Sequence, residues 1–444
     1  MAFIDLKLKS PFQKALTDIG LTEPTVIQDK AFSVIMSGKD VLGIAQTGTG
    51  KTFAYLLPLL NQWEFDKNKN VQILIIVPTR ELVVQVINEI NKLSTYISLT
   101  AIGIYGGVNL QRHRDEISHG LDILVATPGR LLDVMLAGDI KTKTIKKLVI
   151  DEVDEMLGLG FRAQLTRIFD LLPPKRQNIL FSATLVEEVK ELTDKFFNNP
   201  TIIEAAPSGT PIEKIKQQAY KVPNFHTKIN LLIFLLKNRN EMNKVLVFVN
   251  SKNMADTIFE IIQPEFESEL LVIHSNKSQN NRFAAVDGFK NGNIRILLAT
   301  DIIARGIDIL GVSHVISFDI PEVAENYIHR TGRTGRANSE GNAISFVTEK
   351  ELKNLNKIEK LMKKKIEMLD FPKSVEVSDI ITLDETPKVE MKIIKLKERS
   401  NYEPGPSFHE KSEKNKKVNM HLTRAARMKL KYGKSKTMLG KKKR

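Results

Sequence analysis

Short apolar runs recur along the chain at near-regular intervals. They begin as VLGIA at residue 41, VQILIIVP at 71, TAIGIYGG at 100, DILVATPG at 122, KLVIDE at 147 and QNILFSAT at 177. Within each run the apolar residues do not alternate with polar ones. Both faces of such a strand must be covered, which predicts a parallel sheet flanked by helices. The pattern pauses at EAAPSGTPIEKI, residues 204–215, which reads as a connector. It resumes with KVLVFVNS at 244, ELLVIHS at 269, IRILLATD at 294, SHVISFDIP at 313 and GNAISFVTE at 341. A helix-like stretch, ELKNLNKIEKLMKKKIEML, follows, and from Phe371 onward the pattern decays. The expectation is an α/β protein: a first domain over 1–206, a linker over 207–216, a second domain over 217–370 and a C-terminal extension over 371–444 that is disordered towards its end.

Composition changes this picture in three places. The 444 residues are 42% hydrophobic, enough for two cores, and contain no cysteine, which excludes disulfides, thiolate metal sites and cysteine nucleophiles. Eight histidines without ligand spacing give no expectation of zinc. The start, MAFIDLKLKS, lacks an apolar signal core, and no apolar run reaches membrane-spanning length, so the expectation is a soluble, cytoplasmic protein without a membrane partner. The net charge of +14 is concentrated at one end: residues 411–444 hold 14 Lys or Arg against Glu413 alone, while the rest carries 52 basic and 51 acidic side chains. A basic arm on a nearly neutral body points to a polyanion, with an inert solvated tail or a protein-binding tail as the alternatives.

The chemistry starts with a conflict. The strand KLVI runs straight into Asp151, Glu152 and Asp154. Three carboxylates in four positions repel one another and are costly to bury without a counter-charge. The counter-charge is written after the first strand, where AQTGTGKT gives the pattern A-x-x-x-x-G-K-T. Gly48 and Gly50 permit a tight turn whose N–H groups face phosphate, Lys51 reaches the terminal phosphates, and the Thr52 hydroxyl suits Mg2+. Asp151 then holds the ion through water, Glu152 orients and deprotonates the attacking water, and Asp154 points away to anchor its neighbours. In HRTGRTGR, residues 329–336, Arg330, Arg333 and Arg336 recur every three residues. At helical spacing Arg333 and Arg336 share a face and can act as arginine fingers, which makes hydrolysis depend on closure of the second domain.

On these motifs the chain resembles the DEAD-box RNA helicases of superfamily 2, over about residues 3–350, with the acidic motif reading DEVD rather than DEAD. The resemblance implies two RecA-like domains. It assigns Phe3 and Gln28 to adenine recognition, and Ala45, Gln46, Thr47, Gly48, Thr49, Gly50, Lys51 and Thr52 to the phosphates. Pro78, Thr79 and Arg80 of PTREL, Gly107 (beside Gly106), and Thr127, Gly129 and Arg130 of TPGR are assigned to RNA, although TPGR alone is equally a turn and a helix cap. Ser182 and Thr184 of SAT, with Asp154, His329 and Arg330, couple the ATP state to RNA. Gln279 and Arg282 of a Q-x-x-R element and Thr300 are given to RNA, and Gly306 and Asp308 of ATDIIARGID to the nucleotide. Backbone donors, hydroxyls and arginines of this kind suit phosphates and sugars rather than base edges. The function implied is an ATP- and Mg2+-dependent RNA helicase, acting as a monomer, with ribosomal or RNA-processing proteins as possible partners. A DNA translocase or remodeller of the same superfamily, and an ATP-gated RNA clamp, stand as the other readings.

Overall fold

The computed structural model describes residues 2–45, 48–204, 215–301, 311–335, 341–382 and 385. Its frame is two seven-stranded, wholly parallel sheets. The first contains β1 (Val41–Ile44), β2 (Ile73–Ile76), β3 (Ala101–Ile104), β4 (Ile123–Ala126), β5 (Lys147–Ile150), β6 (Gln177–Ser182) and β7 (Thr201–Glu204), in the order β3-β4-β2-β5-β6-β1-β7. The second contains β8 (Ile215–Lys221), β9 (Val245–Val249), β10 (Leu270–Ile273), β11 (Ile296–Thr300), β12 (His314–Ser317), β13 (Gly341–Val347) and β14 (Glu367–Leu369), in the order β10-β11-β9-β12-β13-β8-β14. Helices connect the strands and cover both faces. Residues Met1–Thr386 form one compact unit. No helix among the described residues is long and apolar enough to cross a membrane.

The uninterrupted apolar runs have the meaning their pattern predicts. In β2, Ile73 and Ile75 enter one core while Leu74 and Ile76 enter the core on the opposite face. Ile123 with Val125 and Leu124 with Ala126 divide in the same way in β4. Each such aliphatic side chain withdrawn from water contributes about 1.5–3 kcal/mol, so strands buried on both faces are favoured centrally.

Three strands go beyond the sequence expectation, and all lie on or next to an edge. β7 and β14 are short with mostly exposed side chains, and β8, IKQQAYK, alternates buried and exposed positions. Ile215 and Lys216, expected in the linker, lie on β8, whose register pairs Ile215 with Gly341. Residues 205–214 fall outside the described residues. The decay expected from Phe371 onward is also corrected. Phe371 and the buried Val375 pack into the second core. The Ser378 carbonyl accepts from Asn224 at 2.5 Å and Glu385 accepts from the Phe225 N–H at 2.6 Å. The apolar anchors there are too sparse for periodicity to reveal; hydrogen bonds between side chains and backbone hold the strap. The basic arm over 411–444 lies outside the described residues.

Parallel order delivers the chemistry to one edge. β5, β6 and β1 are neighbours, so the residues following them emerge side by side at the carboxyl ends of the strands: the acidic run, SAT and the glycine turn.

Candidate active site and RNA interface

Gly50, at φ 90°, caps the helix Lys51–Gln62. A Cβ there would come within 2.4 Å of the Gln28 amide nitrogen. That nitrogen donates to the Gly50 carbonyl at 3.1 Å, and the Gln28 amide oxygen accepts from the Thr25 N–H at 2.9 Å. The Thr25 hydroxyl donates to the Thr49 carbonyl at 2.8 Å. Gln28 is therefore tied to the glycine turn while keeping one N–H and one lone pair in reserve. Phe3 lies in the apolar core with 4% of its surface exposed, so it offers at most an edge to a base. Gln46 and Thr47 fall outside the described residues.

Lys51, Asp151 and Glu152 are each less than 8% exposed. The Lys51 ammonium stands 4.0 Å from Asp151 Oδ1. Among the described residues, Lys51 Nζ, Asp151 Oδ1 and Glu152 Oε2 have no hydrogen-bond partner. Three unsatisfied buried charged atoms around one spot are costly in an empty protein and call for a ligand bearing both charges. Burial raises the Asp151 carboxyl above its ordinary value, against the pull of Lys51. Burial also pushes Glu152 up to about 7, with Lys51 and Arg333 opposing. The Tyr55 phenol below them is raised by burial and then by the Asp151 charge. Glu152 has a left-handed backbone, φ 55° and ψ 50°, immediately before the helix Val153–Gly158. A non-glycine residue there costs on the order of 1–3 kcal/mol, the kind of strain retained at functional positions. A basic ammonium, two carboxylates and the half-buried Thr52 hydroxyl suit a polyphosphate with a hard divalent cation.

Asp154 turns away from this pocket. Its Oδ2 accepts from the Ala183 and Thr184 N–H groups at 3.1 and 2.9 Å and from the Thr184 hydroxyl at 2.9 Å. Ser182 closes the SAT turn by donating to the Thr184 carbonyl at 2.6 Å. His329, from the helix Ala324–Thr331 of the second domain, places Nε2 4.0 Å from the same Asp154 oxygen and Nδ1 against Glu155. The acidic run is thereby joined to SAT and to the other domain through one side chain.

The arginines divide differently from the sequence expectation. The helix ends at Thr331, with Gly332 as its cap, so Arg333 is not on a helix and the shared helical face with Arg336 is withdrawn. Arg336 itself, like Gly306 and Asp308, lies outside the described residues. Arg333 is 3% exposed, and its charge lowers the Glu152 carboxyl across the domain junction. Arg330 faces inward: it pairs with Asp301 at 2.5 and 2.8 Å, donates to the Asp319 carbonyl at 2.6 Å and to Asn250 at 2.8 Å, and lies over Phe248. It braces the second domain from within.

The RNA-assigned residues follow strand ends. Thr79 caps the helix Arg80–Leu93 after β2, Thr127 and Gly129 open the helix Pro128–Leu136 after β4, and Thr300 ends β11. Pro78 is buried against the sheet. Gly107, at φ 78°, makes room for Arg80, whose guanidinium a Cβ would meet at 2.3 Å. Arg130 is directed inward, to the Val108 carbonyl and His113 Nδ1, both at 2.7 Å, and so fixes the loop carrying Gly106 and Gly107. Burial and then the Arg130 charge lower the His113 imidazole. Gln279 and Arg282, expected to meet RNA, also hydrogen-bond across the junction, while Arg282 Nε has no partner among the described residues. Gln279 accepts from Arg80 at 3.1 Å and donates to Glu81 at 3.0 Å, and Arg282 pairs with Glu81. Glu81, Glu155 and Tyr55 are site residues that the sequence reading misses. The first two stand beside motif residues in the sequence, but only the packing shows that they face the second domain.

The comparisons agree with this geometry. The DEAD/DEAH box helicase family model matches residues 25–192, and the helicase conserved C-terminal domain model matches 227–338. The DEAD-box ATP-dependent RNA helicase RhpA of Helicobacter pylori (strain ATCC 700392 / 26695) is 38% identical over 398 residues, covering 90% of this chain and 80% of that protein. Among solved structures, S. cerevisiae Dbp5 bound to RNA and ADP BeF3 aligns with a TM-score of 0.76 at 28% identity, over 83% of this chain and 95% of that one. A variant of the same yeast protein, bound to Nup159, a Gle1 variant, IP6 and ADP, is 27% identical but has a TM-score of 0.58, over 83% and 96%. With two parallel sheets, a glycine turn facing buried acids and an arginine brought in from the second domain, the chain belongs to the DEAD-box ATP-dependent RNA helicase family.

Proposed function

We infer that the protein hydrolyses ATP to unwind or remodel RNA locally, with nucleotide and RNA both held across the junction of its two domains. The observation that carries this reading is the buried Arg333 of the second domain, whose charge reaches Glu152 of the first, where Lys51 and Asp151 hold unsatisfied charged atoms. Lys51 binds the terminal phosphates, and the glycine-turn N–H groups hold the remainder. The Thr52 hydroxyl and the Asp151 carboxylate would hold Mg2+, which when bound would supply charge neutralisation at the phosphates. Glu152 orients the attacking water and accepts its proton, a task its raised carboxyl suits near neutral pH. Arg333, together with Arg336, balances charge developing on the transferred phosphoryl group. DEVD thus serves as the family's acidic motif.

Asp154, His329 and SAT carry the domain state to the RNA side, while Glu81, Arg80, Gln279 and Arg282 latch the junction. RNA lies along Thr79, Arg80, Gly107, Thr127, Gly129 and Thr300 by its backbone, without base readout. One chain supplies both halves of the site, so a monomer suffices. Phosphate release measured with single-stranded RNA, with duplex DNA and with no nucleic acid tests the reading. Stimulation by RNA is expected; stimulation by duplex DNA alone, or none, would overturn it.

A further inference from the structure

We propose a second RNA-binding surface on the first domain: the cleft formed by Lys39, Lys175, Arg176 and Lys195 at the amino-terminal edge of the sheet, which takes the phosphate backbone of RNA flanking the segment held between the domains. This rests on RNA being the substrate.

Sheet order builds the cleft. β6, β1 and β7 are adjacent, so the residues entering them converge: Lys175 and Arg176 before β6, Lys39 before β1, and Lys195 from the helix Glu187–Phe196 that leads to β7. The cleft has a volume of about 790 Å³. It contains one acid, Asp40, and that carboxylate is fully engaged inward by the Asn178 N–H at 2.7 Å, the Asn178 amide at 3.1 Å and the Asn198 N–H at 2.8 Å. Among the described residues none of the four cations has a carboxylate within 4.0 Å. Positive charge is thus gathered, offset only in part by the Asp40 charge acting on Arg176, on a body that is otherwise close to neutral.

The lining favours a nucleic-acid backbone over a protein. A protein partner needs an apolar centre, and the aromatic rings here are already covered. Phe196 stacks on Phe169 at 4.2 Å with Lys195 over its ring at 4.9 Å, and Arg176 covers Phe169 at 5.4 Å. The same cover removes any platform for stacking bases, leaving charge alone to recognise the ligand. Arg176 is fixed by Asn178 at 2.8 Å and the Pro173 carbonyl at 2.6 Å, while the three lysines are exposed. The cleft and the glycine turn stand at opposite ends of β1, about 13 Å apart for four residues of strand, so RNA in the interdomain groove does not itself fill the cleft.

The test is the full-length triple variant Lys39→Gln, Lys175→Gln, Lys195→Gln, with Arg176 retained because it packs, and the matching triple Lys→Arg variant. Affinity is measured, with a non-hydrolysable ATP analogue, for a short strand that just fills the interdomain groove and for the same strand with a duplex extension. Losing three contacts of about 0.9 each lowers the salt slope for the extended RNA by about 2.7, a change of about 40-fold in relative affinity between 50 and 200 mM salt. The Gln variant should bind extended RNA more weakly and with this flatter slope, bind the short strand as wild type does, and keep its melting temperature; the Arg variant should match wild type. Equal affinity and slope of the Gln variant and wild type for both RNAs would overturn the cleft as an RNA surface. Absence of RNA binding by wild type itself would instead overturn the reading of the substrate.

Discussion

Replacing Glu152 with Gln should make the ligand-free protein more stable at alkaline pH while abolishing turnover. In the folded protein this carboxyl is pushed from an ordinary 4.5 up to about 7, first by burial. A carboxyl raised on folding adds stability that is fully present below its unfolded value and is lost as the pH rises through the folded value. Above about pH 7 the wild-type protein must therefore bury a charge that glutamine lacks. The difference between 4.5 and about 7 corresponds to about 3 kcal/mol. At roughly 2–4 °C per kcal/mol for a domain of this size, the variant should melt roughly 6–12 °C higher at pH 8. Thermal unfolding of both proteins without nucleotide or RNA, from pH 8 down to pH 5, is the assay. The gap should shrink steadily as the wild type takes up its proton. Alongside it, phosphate release should fall by about 10²–10⁴ for loss of a general base, with RNA still retained in the presence of ATP. A variant no more stable than wild type at pH 8, or a gap that does not change with pH, would refute the assignment of a buried, proton-accepting carboxylate.

Three further outcomes are expected. Arg333→Ala should lower the RNA-stimulated kcat by about 10³ or more, the range of arginine fingers, while ATP binding measured by nucleotide fluorescence stays close to wild type; an unchanged kcat would remove Arg333 from the reaction. Arg282→Ala leaves the buried Glu81 charge with only the Gln279 amide to meet it, and breaking such a buried pair costs about 3–5 kcal/mol; RNA affinity with a non-hydrolysable ATP analogue should fall steeply, with Glu81→Gln in the same background restoring part of it, and full affinity of the single variant would refute the latch. Deleting residues 411–444 should flatten the salt dependence of RNA binding with little change in ATPase at saturating RNA, and an identical salt slope would make the arm a protein-binding or inert segment.

The individual parts of the site were legible because each is chemically expensive where it stands. Glycines before Lys51, and a strand running into Asp151, Glu152 and Asp154, make sense only beside bound phosphate. The two-domain α/β pattern was legible for the same reason: strands buried on both faces must be apolar throughout. Edges were not. β7 and β14 are held by backbone hydrogen bonds, and the strap beyond Phe371 by bonds between its backbone and distant side chains, for which composition leaves little trace. Helical spacing also misled at HRTGRTGR, where the helix stops at Thr331 and Gly332 sends Arg333 out of the helical path.

The sequence by itself determined the kinds of groups present, their order and the sheets that carry them, since strand burial and glycine turns are local properties. The tertiary structure decided which groups meet. Arg330 and Arg333 are alike in sequence, yet one braces Asp301 inside its own domain and the other sends its charge to Glu152 of the opposite one. Gln279 and Arg282 carry no sign in the sequence of the contact they make with Glu81 of the first domain. Burial and long-range approach set these roles: an arginine takes whichever carboxylate the packing brings within reach, and that distance is not encoded in any neighbouring residue.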